Sequence, residues 1–82
     1  MDELVSLDDS TLDEFVGRNP FVVVDFYADY VHLCHGVPPI MKSLVDELPE
    51  VVFARLDVTE NYLMPLRYEI SHLPSVLVFR GG

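Results

Sequence analysis

Cysteine, basic residues and long apolar runs are scarce in this sequence of 82 residues. Cys34 is the only cysteine, so no disulfide can form within the chain. Proteins without disulfides are typical of reducing compartments, and we therefore expect the cytoplasm. Five basic residues stand against fourteen acidic ones, which gives a net charge of −9. Because such a surface repels phosphate backbones, we expect no nucleic-acid partner.

No apolar run approaches the roughly 20 residues of a membrane span, so we expect no membrane association. The acidic segment Met1–Leu4 lacks a basic stretch, and we expect no signal peptide there. Half of the residues are hydrophobic, which is enough for the core of one small domain over residues 1–82. Nothing in the sequence indicates a cofactor.

Strand and helix patterns alternate along the chain. β-Branched and aromatic runs predict strands, and apolar residues at helical spacing predict helices. The predicted strands are Leu4–Leu7, Phe21–Tyr27, Val51–Asp57 and Ser75–Arg80, and the predicted helices are Thr11–Val16, Ile40–Leu48 and Asn61–Tyr68. In the second helix we expect Ile40, Leu44, Val45 and Leu48 to face inward. The order β-α-β-α-β-α-β predicts an α/β layered fold with parallel crossovers.

Four segments, in register over nearly the whole chain, resemble the thioredoxin family. They are Val24–Ala28 before the active-site turn, Cys34 and Pro39 at the positions of the resolving cysteine and the helix-kinking proline, Phe53–Val58 in the third strand, and Leu73-Pro74-Ser75 at the segment whose proline is cis in that family. The resemblance implies a thioredoxin-like three-layer sandwich of the redox homeostasis lineage.

The family's last strand and last helix have no counterpart before Gly82, so the expected sandwich is shortened at its C-terminal end. This leaves the predicted strand 75–80 at an edge, which is a template for pairing. A truncated sequence, a partner that covers the edge, or a homodimer through residues 75–80 would each account for it.

The active-site turn departs from the family pattern at several positions. Val31 stands where the family keeps its attacking cysteine, and His32 and Leu33 replace the usual Gly-Pro pair. Gly36 and two adjacent prolines follow, so we expect residues 30–37 to form a distorted turn before regular helix begins near Pro38 or Pro39. Dithiol-disulfide oxidoreductase activity needs two sulfurs and is therefore not expected.

Cys34 and Asp25 are the candidate catalytic residues of this degenerate site. Cys34 is either a buried cysteine that packs as a small hydrophobe or a monothiol that forms mixed disulfides with glutathione or a protein. Asp25 matches the buried acid that serves the family's resolving cysteine, and burial should raise its pKa. Without an attacking cysteine, inherited structure is the favoured interpretation of Asp25, and a base toward a reactive Cys34 is the alternative.

The three histidines, His32, His35 and His72, are expected near Cys34, and imidazole with thiolate can bind zinc or copper. The spacing does not match a standard zinc motif, so we favour exposed histidines over a metal site.

Tyr30, Leu33, Leu73 and Pro74 are candidates for an apolar peptide-docking patch, and ordinary loop packing is the alternative. Two hypotheses follow: a non-catalytic module that binds a polypeptide or assists assembly, or a monothiol redox protein that acts through Cys34 on a thiol substrate.

Overall fold

Strands and helices alternate in the order that the sequence predicts. The computed structural model describes residues 4–81, so residues 1–3 of the acidic N-terminal segment and Gly82 lie outside this range. The strands are β1 (Val5–Leu7), β2 (Phe21–Tyr27), β3 (Val52–Asp57) and β4 (Ser75–Arg80), and the helices are α1 (Leu12–Arg18), α2 (Val37–Val45) and α3 (Leu63–Arg67). A 3₁₀ segment, His32–Gly36, leads directly into α2.

The four strands form one sheet in the order β1-β3-β2-β4. Both β1 and β2 run parallel to β3, whereas β4 runs antiparallel to β2. The expectation of parallel crossovers throughout is therefore wrong for β4. A helix of five residues such as α3 is only about 7.5 Å long. It cannot carry the chain back along the sheet, so β4 starts at the edge where β3 ends.

One face of the sheet packs against α1 and α3. Alternate residues of β2 point to this face, namely Val22, Val24 and Phe26, and all three are fully buried. They form one core cluster with side chains of both helices, including Leu12 of α1 and Met64 of α3. Their burial supplies the main hydrophobic stabilisation of the fold.

The opposite face packs against α2 alone. Met41 is the buried residue of this helix, at 3% exposure. The prediction that Ile40 and Leu48 face inward is wrong, because Ile40 is 61% exposed and Leu48 36% exposed. Ile40 lies on α2 and Leu48 in the segment after it, at the face where no second helix of the described residues packs, while Leu44 and Val45 are half-buried.

Two neighbouring aspartates organise the starts of α1 and α3. Asp8 stabilises the turn before α1, because its Oδ1 accepts hydrogen bonds from Ser10 N–H and the Thr11 hydroxyl. Asp9 caps α3 from a distance in sequence. Its carboxylate accepts backbone hydrogen bonds from residues 62, 63 and 64 at 3.0, 3.0 and 2.8 Å. The predicted helices are correct in kind but their boundaries shift by one to three residues.

Pro65 lies at the third position of α3, inside its first turn. An N–H at that position has no partner within the helix, so proline removes no helical hydrogen bond there. Pro65 is therefore compatible with the start of this helix. None of the helices within residues 4–81 has the length and apolar character needed to cross a bilayer.

Candidate functional site

The candidate site lies at the end of the sheet where β2 finishes and β4 begins. Phe26 of β2 pairs with Ser75 of β4, so the turn after Tyr27 and the segment before Ser75 meet at the same edge. Val31 N–H donates to Ala28 O at 3.1 Å, and Cys34 N–H donates to Val31 O at 3.0 Å. These two bonds close the turn and start the 3₁₀ segment.

The start of α2 accommodates both prolines. Gly36 precedes the helix and Val37 is its first residue, so Pro38 and Pro39 occupy the first turn. Backbone N–H groups in the first turn have no partner within the helix, and proline is well tolerated there. The predicted distorted turn is thus an ordered 3₁₀ segment, and regular helix begins one residue before the predicted boundary.

Cys34 is the buried residue of the 3₁₀ segment, with 0% of its surface exposed. Val31 is half-buried at the start of the same segment and carries no sulfur. A thiol needs access to its disulfide substrate as well as thiolate character. The geometry therefore fits the packing interpretation of Cys34 better than the monothiol one.

Asp25 is the one charged residue among the buried side chains of the described chain. Arg55 on the neighbouring strand β3 donates from Nε to Asp25 Oδ2 at 3.0 Å, and the two residues are partners in the parallel register. Burial raises the pKa of Asp25, and the hydrogen bond and charge of Arg55 offset part of that rise. The guanidinium carbon of Arg55 also lies 3.6 Å from the ring centroid of Tyr27, a cation–π contact.

Sequence reasoning noted Asp25 and the strand that contains Arg55 but missed their pairing. The signal was available, because both residues interrupt apolar strands that are expected to be neighbours. A buried acid in one strand and a basic residue in the next are natural partners once the register is fixed.

The predicted docking residues divide into two groups. Tyr30 and Leu33 are 76% and 75% exposed on the turn. Leu73 and Pro74 are half-buried, and the peptide bond between them is cis. The side chain of Leu73 packs against the core cluster. Within residues 4–81, its backbone N–H and C=O make no hydrogen bond, so they remain available to an extended chain.

The histidines do not converge as a metal site. The rings of His32 and His35 meet edge to face with centroids 5.6 Å apart, and His35 Nε2 contacts Asp29 O at 2.8 Å. His72 is exposed and its Nδ1 lies 3.3 Å from Ser71 Oγ. Residues 4–81 contain no group of three acidic, histidine or cysteine side chains placed to hold a metal ion. The alternative of a metal centre at His32, Cys34, His35 and His72 therefore has no support in the geometry.

Comparison with known proteins places this geometry in a family. The sequence model of the family described as thioredoxin matches residues 3–82. A thioredoxin of Chlamydia pneumoniae is 33% identical over 70 residues, which cover 85% of this chain and 68% of that protein. Human endoplasmic reticulum resident protein 44 is 33% identical over 87 residues, and the match spans 98% of this chain but only 21% of that protein.

The solved structures agree with the sequence comparison. A mutant thioredoxin from Halobacterium salinarum superposes with a TM-score of 0.89 at 28% identity, and the match covers 99% of this chain and 72% of that one. The order of strands and helices is thus that of a thioredoxin fold, as the resemblance predicts. The chain belongs to the thioredoxin family, as a domain of this redox lineage in which Val31 and Cys34 lie at the turn after β2.

Proposed function

We propose that this domain is a non-catalytic module that binds an extended polypeptide at the patch formed by Tyr30, Leu33, Leu73 and Pro74. The main support for the proposal is the difference in exposure between side chains on the turn after β2. Cys34 is fully buried, whereas Tyr30 and Leu33 are about three-quarters exposed. Large apolar side chains that are exposed together on one turn favour an interaction surface.

The backbone beside the patch supports an extended ligand. The N–H and C=O of Leu73 have no hydrogen-bond partner among residues 4–81. An extended chain that bonds to Leu73 would pass near the turn that carries Tyr30 and Leu33, because that turn and the segment before Ser75 meet at one edge of the sheet. Main-chain bonds then provide affinity and the apolar side chains provide selectivity, as in other cases of strand addition.

Exposure of the thiol is what separates this proposal from the monothiol alternative. Mixed-disulfide formation requires Cys34 to leave its buried position, whereas peptide binding needs no sulfur. An insulin-reduction assay with a regenerating thiol tests the alternative directly. Turnover by the parent that is lost in Cys34→Ala would support the redox function and count against the non-catalytic proposal.

Binding itself can be tested with an unfolded polypeptide that lacks thiols. Carboxymethylated insulin B chain is a suitable probe, observed through backbone amide chemical shifts of the labelled domain. Leu33→Asp should weaken binding about tenfold. Leu66→Asp is the matched control, because Leu66 is 74% exposed, like Leu33, but lies on α3. Equal effects of the two substitutions, or no binding by the parent, would contradict the proposal.

Other predicted properties remain predictions. Cytoplasmic location is supported by the single cysteine, and the absence of a nucleic-acid partner by the net charge of −9. A homodimer through strand 75–80 is supported by the position of β4 at the edge of the sheet. The size of the protein in solution at several concentrations tests the homodimer.

A further inference from the structure

Every histidine of this chain lies beside the patch of the proposed function. His32 and His35 belong to the 3₁₀ segment that carries Leu33, and His72 directly precedes Leu73. All three imidazole side chains are exposed. Histidine is the side chain whose charge ordinarily changes between pH 5 and 8. The patch is therefore bordered by groups that can become positive on mild acidification.

The contacts of these imidazoles allow the rings to gain a proton. His35 Nε2 lies 2.8 Å from Asp29 O. Because a carbonyl oxygen only accepts, Nε2 is assigned as the donor and Nδ1 is the site for a second proton. His72 Nδ1 lies 3.3 Å from Ser71 Oγ, and a hydroxyl oxygen can accept as well as donate. Neither hydrogen bond is lost when the ring becomes imidazolium.

His32 and His35 form a pair whose charging depends on what lies beside it. Their ring centroids are 5.6 Å apart. Two imidazolium ions at this distance repel each other, and a negative group beside them favours the second proton. By linkage, protonation of the pair strengthens binding of an acidic ligand, and an acidic ligand strengthens protonation.

The other cations of the neighbouring elements are already paired or lie at a distance. On β3, Arg55 is held by Asp25 of β2. On α3, Arg67 pairs with Asp13 of α1. Lys42 lies in the last turn of α2, whereas the 3₁₀ segment joins the first turn of that helix. Protonated histidines would therefore be the positive groups next to the patch.

Acidic side chains set the charge of this edge at neutral pH. Asp29 opens the turn after β2 and is exposed, as are Glu60 before α3 and Glu69 after it. Asp57, at the end of β3, is half-buried and accepts two hydrogen bonds from Thr59. These carboxylates disfavour an acidic ligand at neutral pH, and up to three imidazolium ions beside the patch offset them.

A cavity of about 250 Å³ gives a ligand access to His72. Four apolar side chains, among them Leu73, line it together with Ser71 and His72. The backbone N–H and C=O of Leu73 make no hydrogen bond within residues 4–81. A polypeptide that bonds to Leu73 therefore lies within reach of the imidazole of His72.

From these features we infer that the patch recognises extended polypeptides that carry aspartate or glutamate beside their apolar residues, and that protonation of His32, His35 and His72 strengthens this recognition. The inference rests on the proposed function, because it concerns the same patch. The carboxylates of the ligand would accept charge-assisted hydrogen bonds from imidazolium N–H groups. Binding of acidic polypeptides should therefore tighten as the pH falls from about 7.5 to about 5.5.

Three thiol-free peptides that differ only in their flanks test this dependence. Each has a core of alternating valine and threonine between two aspartates, two asparagines or two lysines. Aspartate stays ionised at both pH values, because its ordinary pKa is about 3.9. Fluorescence anisotropy at physiological salt gives the dissociation constants. At the lower pH the aspartate peptide should bind about tenfold more tightly and the lysine peptide about threefold more weakly, while the asparagine peptide should change less than about twofold.

Substitution of the histidines by glutamine locates the effect. His32→Gln, His35→Gln and His72→Gln should each reduce the pH-dependent gain of the aspartate peptide about twofold, and the triple variant should abolish it. Binding of the asparagine peptide should stay within about twofold of the parent, because the apolar patch is intact. Lys42→Gln, at an exposed position of α2, is the matched control and should leave the gain unchanged. Circular dichroism at both pH values confirms that each variant is folded.

A tenfold gain that the triple variant abolishes supports the inference. A gain that persists in the triple variant would assign the pH dependence to another group, such as Asp25, and would overturn it. If the asparagine peptide binds but the aspartate peptide binds equally at both pH values, the inference fails and the proposed function stands. Absence of binding by all three peptides at both pH values would contradict the proposed function and the inference together.

Discussion

Arg55 donates from Nε to Oδ2 of Asp25 at 3.0 Å, whereas Oδ1 of the same carboxyl group is buried without a hydrogen-bond partner among the described residues. Arg55 therefore donates a hydrogen bond to only one of the two oxygens of a carboxyl group that water cannot reach. A buried acid with one unsatisfied oxygen is costly in its charged form, because the missing hydrogen bonds are not replaced.

Replacing Asp25 with asparagine should stabilise the domain at neutral pH. Burial raises the pKa of Asp25 in the folded state above its ordinary value of 3.8 despite Arg55. Between these two pKa values the folded state binds more protons than the unfolded state, so the free energy of unfolding falls as pH rises. The slope is at most about 1.4 kcal/mol per pH unit for one group. Because asparagine does not ionise, Asp25→Asn removes this fall in the free energy of unfolding.

Urea unfolding of the parent and Asp25→Asn at a series of pH values from about 4 to 8 measures the effect. The free energy of unfolding of the variant should increasingly exceed that of the parent as pH rises from about 4. Near pH 4 the two free energies should converge. Glu47→Gln, at an exposed position, controls for the change of one unit in net charge. A variant that is less stable than the parent at neutral pH would show that the charge pair outweighs the burial of the carboxylate.

Replacing Arg55 should destabilise the domain, in contrast to Asp25→Asn. Arg55→Met leaves Asp25 buried without its cation, and we expect a loss of about 3 kcal/mol at neutral pH. The loss should shrink as the pH is lowered to about 5, because protonation of Asp25 relieves the unpaired charge. Arg55→Lys keeps the charge but not the planar contact with Tyr27, so it should lose only about 1 kcal/mol. A loss from Arg55→Met that does not change with pH would rule out Asp25 as the cause.

The strands and their succession along the chain were predictable, because long runs such as Phe21–Tyr27 have few alternatives to a central strand, but the antiparallel pairing of β4 was not. For the candidate site, the sequence proposes residues but cannot give their exposure. Nothing in the sequence distinguishes Cys34, which is fully buried, from Leu33 beside it, which is 75% exposed. That difference depends on which side of the 3₁₀ segment faces the sheet, and this is set by tertiary packing.

Helix boundaries and apolar faces were predicted less well for a related reason. The pattern of Ile40 and Leu44 marks one side of α2, but a pattern cannot show whether another element covers that side. Similarly, the cap of α3 comes from Asp9, more than fifty residues away in sequence. Local rules place caps next to their helices and cannot find one contributed by another part of the fold.

Asp9 should hold the start of α3 in a pH-dependent manner. Desolvation alone would raise the pKa of Asp9, but three backbone hydrogen bonds outweigh it and hold the pKa below the ordinary value. The contribution of Asp9 to stability is therefore present above pH 3.8 and is lost as pH falls through the lowered folded-state pKa.

Amide hydrogen exchange gives the readout for Asp9. In Asp9→Ala the N–H groups of Tyr62, Leu63 and Met64 lose their acceptors, so their exchange should accelerate at about pH 6 while exchange in β2 changes little. Ser10→Ala is the control, because Ser10 bonds to Asp8 and not to α3. Unchanged exchange at these three amides would contradict the capping role.

Restoring a cysteine at Val31 tests how far the site has lost disulfide exchange. Val31→Cys recreates a Cys-x-x-Cys pair in which the new thiolate attacks a substrate disulfide and Cys34 resolves the mixed disulfide. We expect insulin reduction at least about tenfold above the parent, abolished again when Val31→Cys is combined with Cys34→Ala. Failure of the single variant to reduce insulin would mean that the histidines and prolines of the turn, and not only the lost nucleophile, prevent the reaction.

Glu69 offers a stabilising substitution outside the patch of Tyr30, Leu33, Leu73 and Pro74. Its φ angle is +57°, in the left-handed region that favours glycine. It ends α3 in a Schellman turn, in which Ile70 N–H donates to Pro65 O at 2.9 Å and Glu69 N–H to Leu66 O at 3.2 Å. Glu69→Gly should therefore raise the free energy of unfolding by about 0.5–1 kcal/mol. Glu69→Ala is the matched control, since it removes the same charge and side chain but keeps a Cβ in the left-handed conformation. If the alanine variant gains as much as the glycine variant, the charge of Glu69 and not its backbone conformation limits stability here.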